Sequence, residues 1–199
     1  SGSFTEGRLA GKAANKYVDA LGTNTPEISE EEYLELKEQI YQPLETYRVG
    51  RNEITAGTVS PTYLLPLSGL QRLEKIMDEY CGGVGQRYMV NEPLMTRGIE
   101  LLKMLKEDLK NLGADGLHQL QRAWELHHRV LASECVTAHT MFRGETRWPG
   151  YYYRGDHPKL DDKNWHCFTL SQYDERTGEF EMEKAPVYHL VDEVKQAAE

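Results

Sequence analysis

The fold is decided by the segment 91–113, which reads NEPLMTRGIELLKMLKEDLKNLG. It opens with Asn91, Glu92 and Pro93, which are a capping residue, an acid and a first-turn proline. Gly113 closes it, as glycine commonly does after a helix. The apolar residues that we expect to face a core are Leu94, Ile99, Leu102, Leu105 and Leu109. This pattern predicts an amphipathic helix with one face in a hydrophobic core.

Two more helical patterns flank this segment. Residues 115–142 carry the longest one, and an earlier helix is predicted to start at Ser60-Pro61, to be interrupted at Pro66 and to end at Gly82-Gly83. The connections between these patterns are short. We therefore predict a helical bundle.

The N-terminal part predicts two further helices. Two pairs have the spacing of a capping box, Ser3 with Glu6 and Ser29 with Glu32. The first pair would open a helix over residues 3–21 with Ser3 as its N-cap. We expect Pro43 to kink or end the second helix, and residues 48–60 to form a loop.

The composition changes after Arg143. Residues 144–163 are rich in Gly, Pro, Tyr and Asp and predict an irregular loop, whereas 164–173 and 179–183 alternate as two strands of a β-hairpin. Residues 192–198 predict a short terminal helix. The predicted fold class is mainly α, a helical bundle followed by an irregular loop and a small β-hairpin.

Composition excludes several classes of protein. The 199 residues carry 23 Lys and Arg against 32 Asp and Glu, a net charge of −9 that argues against general nucleic-acid binding. No apolar run approaches the roughly 18 residues that a membrane span needs. The three cysteines are widely spaced, which excludes a disulfide scaffold and predicts a reducing, cytoplasmic location.

Metal and nucleophile chemistry have little support in the sequence. Glu125 and His128 have the spacing of a di-iron ligand pair, but such sites need two pairs and two more carboxylates, and one pair is present. The glycines of 82–85 lack the preceding strand and the complete spacing of a dinucleotide-binding loop. We expect no metal ligand and no catalytic residue in this chain.

The segment 143–154, which reads RGETRWPGYYYR, interleaves arginine with aromatic residues. Such a pattern occurs in single-stranded nucleic-acid binding and in protein interfaces. The acidic net charge favours the interface. The predicted interface residues are Arg143, Arg147, Trp148, Tyr151, Tyr152, Tyr153 and Arg154.

The opening turn is the best candidate for a small-molecule site. Ser1, Gly2, Ser3 and Phe4 lead into a helix, whose free N–H groups and positive dipole end suit an anion or an electron-rich ring edge. An ordinary capped helix explains the same residues. The residues alone leave both interpretations open.

Taken together, five stretches resemble one enzyme family, the succinate dehydrogenase and fumarate reductase flavoproteins. These stretches are residues 1–14, 143–147, 153–158, 161–165 and 173–179. Within that superfamily, SGSFTEG at the first stretch and WPGYYYR at 148–154 are most similar to the alpha subunit of dissimilatory adenylylsulfate reductase. The chain departs from the succinate branch at Glu145-Thr146, where that branch usually has Ala-His.

The resemblance implies a function for a longer parent protein. It implies an FAD-dependent reductase that interconverts adenylylsulfate and AMP plus sulfite, with an iron–sulfur beta subunit as electron partner and a sulfite adduct at flavin N5. Ser1, Gly2, Ser3 and Phe4 would contact the flavin. The implied domains are the last helix of an FAD-binding domain (1–22), a helical bundle (23–143) and a C-terminal extension (144–199).

Because the chain opens without Met and lacks the flavin cradle, we expect a piece of that parent with negligible FAD affinity and no activity of its own. Two alternatives remain at this point. One is a fragment of a succinate dehydrogenase or fumarate reductase flavoprotein, and the other is a stand-alone helical interaction module.

Overall fold

A computed structural model describes residues 2–22, 27–53, 63–147 and 152–188. The chain divides into two units, residues 1–41 and 42–199. The described helices are α1 (Gly2–Leu21), α2 (Glu30–Glu53), α3 (Pro66–Tyr80), α4 (Glu92–Asp108), α5 (Leu117–Phe142) and α6 (Asp162–Trp165). The described strands are β1 (Met89–Val90), β2 (Tyr153–Arg154), β3 (Cys167–Asp174) and β4 (Glu179–Pro186). The predicted terminal helix at 192–198 lies outside the described residues. None of the described helices is both long and apolar enough to cross a bilayer.

The first unit holds α1 and the beginning of α2. The capping box at the start of α2 is confirmed, since the Glu32 backbone N–H donates to Ser29 Oγ (3.2 Å) and the Ser29 N–H donates to Glu32 Oε2 (2.8 Å). The predicted N-cap role of Ser3 is wrong. α1 already begins at Gly2, so Ser3 lies inside its first turn.

The second unit begins within α2, and here the loop predicted from residue 48 is wrong, whereas of the two outcomes expected at Pro43, a kink or a helix end, only the end is contradicted. α2 does not end at Pro43, and residues 48–53 are helical rather than a loop. Two contacts hold the helix beyond the proline. The Pro43 carbonyl accepts a hydrogen bond from the Ala114 N–H (2.8 Å), and the Tyr47 ring packs on that of Tyr63 with centroids 5.0 Å apart.

Helices α3, α4 and α5 pack around the main core, which confirms the predicted bundle. Its buried residues are Leu73, Ile76, Leu102, Leu105, Leu109, Leu112, Ala123, Leu126 and Val130. At roughly 25 cal/mol per Å² of apolar surface removed from water, this burial is the main stabilising contribution of the bundle.

The start of α3 differs from the prediction. Pro66 begins the helix instead of interrupting one, with its fixed φ suited to the first helical turn. Residues 60–61, the predicted start, lie outside the described residues. The preceding Leu64 is extended, because its N–H donates to the Asn111 carbonyl (2.8 Å) and its carbonyl accepts from the Gly113 N–H (2.9 Å).

The predicted start of α4 is confirmed. Asn91 is the N-cap, and its side-chain oxygen accepts from the Leu94 N–H at 3.0 Å. At the other end the helix stops at Asp108 and a 3₁₀ turn, Leu109–Asn111, follows.

Replacing Asn91 with alanine should lower the free energy of unfolding by about 1 kcal/mol, because the Leu94 N–H loses its acceptor. Asn91→Asp keeps the acceptor and should stay within a few tenths of a kcal/mol of the wild type. Urea unfolding followed by circular dichroism checks both. Equal losses in the two variants would contradict a capping role.

The C-terminal part is more ordered than predicted. β1 and β2 pair in parallel, with Met89 opposite Tyr153 and Val90 opposite Arg154, so residues 144–163 are not wholly irregular. The hairpin is confirmed, but its first strand begins at Cys167. Residues 162–165 form a helical turn because the Asp161 side chain caps it, accepting from the Asn164 N–H at 3.2 Å.

The hairpin packs on the bundle through polar side chains. His139 contacts Thr169 Oγ1 (3.2 Å) through Nδ1 and Ser171 Oγ (2.9 Å) through Nε2. Lys106 donates to both Glu134 Oε2 (2.6 Å) and the Tyr173 hydroxyl (3.0 Å). These bonds attach β3 to α4 and α5.

Candidate functional site

The N-terminal turn presents an open helix end. Gly2, Ser3 and Phe4 form the first turn of α1, and all three are exposed, Phe4 by 85%. Ser1 lies outside the described residues. The first turn holds no acidic residue, although Glu6 Oε1 lies 3.5 Å from where a Cβ on Gly2 would stand. The role of this turn as a cofactor contact stays a prediction.

A network of charged residues follows α5, and Glu145 is its centre. This carboxylate is fully buried, with 0% exposure. Its Oε1 accepts from Arg143 Nη1 (2.7 Å) and Arg147 Nε (2.6 Å), and its Oε2 accepts from Arg147 Nη2 (3.1 Å) and the Asp161 N–H (2.9 Å). Burial opposes the ionisation of Glu145, but the hydrogen bonds from Arg147, Asp161 and Arg143 outweigh it and lower its pKa.

Arg154 closes the C-terminal end of α5. Its side chain is 1% exposed. Nη1 donates to three carbonyls at the helix end, those of Thr140 (2.6 Å), Met141 (3.0 Å) and Arg143 (2.9 Å). A cation placed there satisfies carbonyls that have no partner within the helix and complements the negative end of its dipole.

The same guanidinium is paired with Asp156. Arg154 Nε and Nη2 donate to the two Asp156 oxygens at 2.9 Å each. Asp156 Oδ2 also accepts from the Glu92 N–H (2.8 Å) at the beginning of α4. A single ion pair thus joins the C-terminal end of α5 to the N-terminal end of α4, with each charge facing the helix end of opposite sign.

The hydrogen bonds from Arg154 hold the pKa of Asp156 well below its ordinary value near 3.8. Because a carboxyl with a lowered folded-state pKa stabilises the fold above its unfolded pKa, this contribution should be lost progressively as the pH falls below about 4. Urea unfolding between pH 7 and pH 2 should show a smaller acid loss for Asp156→Asn than for the wild type. Identical acid losses in the two proteins would contradict this assignment.

A cleft opens beside the charged network, between the end of α5 and the start of β3. We call it the arginine cleft, and its volume is about 520 Å³. Its lining residues are His139, Thr140, Arg143, Arg147, Tyr152, Trp165, His166, Cys167, Phe168, Thr169 and Val187. The Trp165 ring contacts two cations, with Lys184 Nζ 3.4 Å and the Arg143 guanidinium carbon 5.7 Å from its centroid.

The structure brings three of the predicted interface residues together, since Arg143, Arg147 and Tyr152 line this cleft. Tyr153 is 39% exposed and lies on β2. Arg154 is buried within the chain, where its contacts support the fold. Trp148 and Tyr151 lie outside the described residues. The interface role of the segment stays a prediction.

Sequence reasoning missed the acidic members of the network, Glu145 and Asp156. A signal was present, because an acid alternates with arginine in Arg143-Gly-Glu145-Thr-Arg147 and in Arg154-Gly-Asp156. Within the described residues, no group of three or more His, Cys, Asp or Glu side chains lies close enough to hold a metal ion.

The comparison with known protein families gives the class of the chain first. Residues 70–196 match the family described as fumarate reductase flavoprotein C-term, and the chain belongs to that family.

Within the family the chain is homologous to the C-terminal region of adenylylsulfate reductase alpha subunits, as the resemblance predicted. It is 40% identical over 191 residues to the alpha subunit of Megalodesulfovibrio gigas, covering 96% of this chain and 28% of that protein. The structure of adenylylsulfate reductase from Archaeoglobus fulgidus superposes with a TM-score of 0.86 at 48% identity, covering 94% of this chain and 29% of that one.

Quinol–fumarate reductase from E. coli shares the fold alone. Its TM-score is 0.67 at 21% identity, covering 93% of this chain and 29% of that one. The chain spans less than a third of the length of each of these three relatives.

Proposed function

We propose that this chain is the C-terminal part of the FAD-containing subunit of an adenylylsulfate reductase, which interconverts adenylylsulfate and AMP plus sulfite. One observation carries the proposal. Over nearly the same length, the chain is 48% identical to the Archaeoglobus adenylylsulfate reductase and 21% identical to the E. coli fumarate reductase.

The buried carboxylate of Glu145 supports the same choice. It lies at the position where the succinate branch usually has alanine. In this chain Glu145 is the shared partner of the two guanidiniums of Arg143 and Arg147. An alanine here would leave these cations without their shared counter-ion. The charged network of this chain therefore requires Glu145, the residue at which it departs from the succinate branch.

The N-terminal turn is the part of the chain that we assign to the cofactor. Ser1, Gly2, Ser3 and Phe4 would lie against the flavin, which supplies two-electron transfer when bound. The backbone N–H groups at the start of α1 would donate to its electron-rich edge. A fixed helix end costs no reorganisation, so it would stabilise negative charge on the reduced ring.

The proposal includes two partners for the segment 143–154, namely the flavin domain of the parent protein and its iron–sulfur beta subunit. A cytoplasmic location belongs to it as well, since the three cysteines form no disulfide.

Tyr152→Ala should weaken association with the beta subunit in the complete enzyme. Tyr188→Ala is the control, because Tyr188 is an exposed tyrosine that does not line the arginine cleft. Equal affinities of the two variants would remove Tyr152 from the interface.

The complete gene, expressed together with its iron–sulfur subunit, tests the function. We expect the purified complex to be yellow, to form AMP and sulfite from adenylylsulfate with a reduced viologen as electron donor, and to be inactive with fumarate. Reduction of fumarate without activity on adenylylsulfate would overturn the proposal in favour of the succinate branch.

The 199-residue chain alone should bind no stoichiometric FAD, because it spans only 28% of its relative and lacks a dinucleotide-binding loop. The measurement is flavin absorbance after mixing with FAD and desalting. One equivalent of retained flavin would show that this chain carries most of the cofactor site.

A further inference from the structure

The arginine cleft differs in charge from the rest of the protein. The chain has a net charge of −9, yet among the described residues those that line the cleft include two arginines and two histidines and no acid. The charge of this local lining is therefore opposite to the overall charge, which lowers the repulsion that an anion meets in the cleft.

The two guanidiniums are only partly neutralised. Arg143 and Arg147 share the single carboxylate of Glu145. Arg147 also pairs with Asp162, but that carboxylate is 63% exposed and is screened by water. Glu145 and Asp162 together match the formal charge of the two arginines, but water around Asp162 weakens its effect on Arg147. The buried Glu145 fixes the position of both guanidiniums.

Two hydrogen-bond donors in the cleft lack an acceptor among the described residues. Arg147 uses Nε and Nη2 for its contacts, which leaves Nη1. The Tyr152 hydroxyl makes no hydrogen bond to a described residue, and burial raises the pKa of Tyr152, so the hydroxyl remains a donor at neutral pH. Both groups would suit an oxygen atom that carries negative charge.

The walls of the cleft are partly apolar and flat. The Phe168 side chain is 55% exposed, and the indole of Trp165 contacts the cations of Arg143 and Lys184. The volume of about 520 Å³ is large enough for an anionic group attached to a flat or apolar body.

We propose that the arginine cleft is a binding site for an oxyanion, a sulfate, phosphate or carboxylate group, held by Arg147 Nη1 and the Tyr152 hydroxyl. The group can come from a small molecule or from an acidic side chain of a neighbouring polypeptide, and the chemistry of recognition is the same in both cases. This inference does not depend on the activity proposed above.

Calorimetric titration of the 199-residue chain tests the site with three probes, sodium sulfate, AMP and an acetylated Asp-Phe dipeptide. We expect saturable binding of at least one probe. Tyr152→Phe removes only the hydroxyl and should weaken that binding about three- to tenfold. Arg147→Lys keeps the positive charge but removes the Nη1 donor of the guanidinium, so it should weaken binding of the same probe by a similar factor.

Matched controls are Tyr188→Phe and Arg176→Lys, since both side chains are exposed outside the cleft. Circular dichroism of each variant establishes that it is folded. Tightest binding of AMP or sulfate assigns the cleft to a small molecule, and tightest binding of the dipeptide assigns it to a polypeptide carboxylate. No saturable binding of any probe, or equal affinities in cleft and control variants, overturns the proposal.

Discussion

Replacing Arg154 with methionine is expected to lower the free energy of unfolding by about 3–5 kcal/mol. The change preserves much of the apolar stem but removes the guanidinium from a position that is 1% exposed. Asp156 would then lose the donors that keep it ionised, and the carbonyls at the end of α5 would lose their cap. Unsatisfied buried polar groups of this kind carry a large desolvation penalty.

Urea unfolding of the 199-residue chain measures the effect. Arg176→Met is the matched control, because that side chain is 84% exposed and its ion pair with Asp174 should contribute less than about 1 kcal/mol. Arg154→Lys should recover only part of the loss, since one amine cannot serve the carbonyls and both Asp156 oxygens together. If Arg154→Met unfolds within about 1 kcal/mol of Arg176→Met, the buried guanidinium stabilises the fold no more than an exposed one does.

The helices of the bundle could be predicted because their signals are local. Asn91 caps α4 as its position before Glu92-Pro93 indicates, and Ser29 with Glu32 forms the expected box. Leu102 and Leu105 are both fully buried, as the apolar spacing requires. These features depend on residues within one or two helical turns, so a short stretch of sequence is enough to predict them.

At Pro43 and Pro66 the local structure depends on distant residues. Pro43 does not end α2, since the helix beyond it is held by Ala114 and by the ring contact between Tyr47 and Tyr63. Pro66 starts α3, since Leu64 before it is paired with the segment that follows α4. Most of these partners are far away in the chain, and no local sequence pattern predicts these contacts.

The charged network, too, depends on contacts that a local sequence pattern does not show. In the sequence, Arg143, Arg147 and Arg154 alternate with aromatic residues, and this pattern predicted an interface with a partner chain. In the structure Arg154 is instead occupied by helix carbonyls and Asp156, whereas Arg143 and Arg147 share Glu145. Which arginine is buried depends on the parallel pairing of β2 with β1, a contact between elements that are far apart in the chain.

Replacing Glu145 with glutamine should lower the free energy of unfolding by about 3 kcal/mol, within the range for breaking a buried ion pair from one side. The side chain keeps its shape but loses its charge. Its amide nitrogen would also face donors, because both original oxygens accept hydrogen bonds, from Arg143, Arg147 and the Asp161 N–H. Glu107→Gln is the control, since that carboxylate is 69% exposed and should change stability by less than about 0.5 kcal/mol.

A double-mutant cycle distinguishes charge neutralisation from mere packing. If Glu145 acts as the counter-ion, removing Arg147 as well takes away one of the two unpaired cations. Glu145→Gln with Arg147→Gln should then cost clearly less than the sum of the single changes, with a coupling of about 1–3 kcal/mol. Arg143 would remain close to the neutral amide that replaces the carboxylate, so recovery should be incomplete. Strictly additive losses would mean that Glu145 stabilises the segment through its hydrogen bond to the Asp161 backbone and not through the arginines.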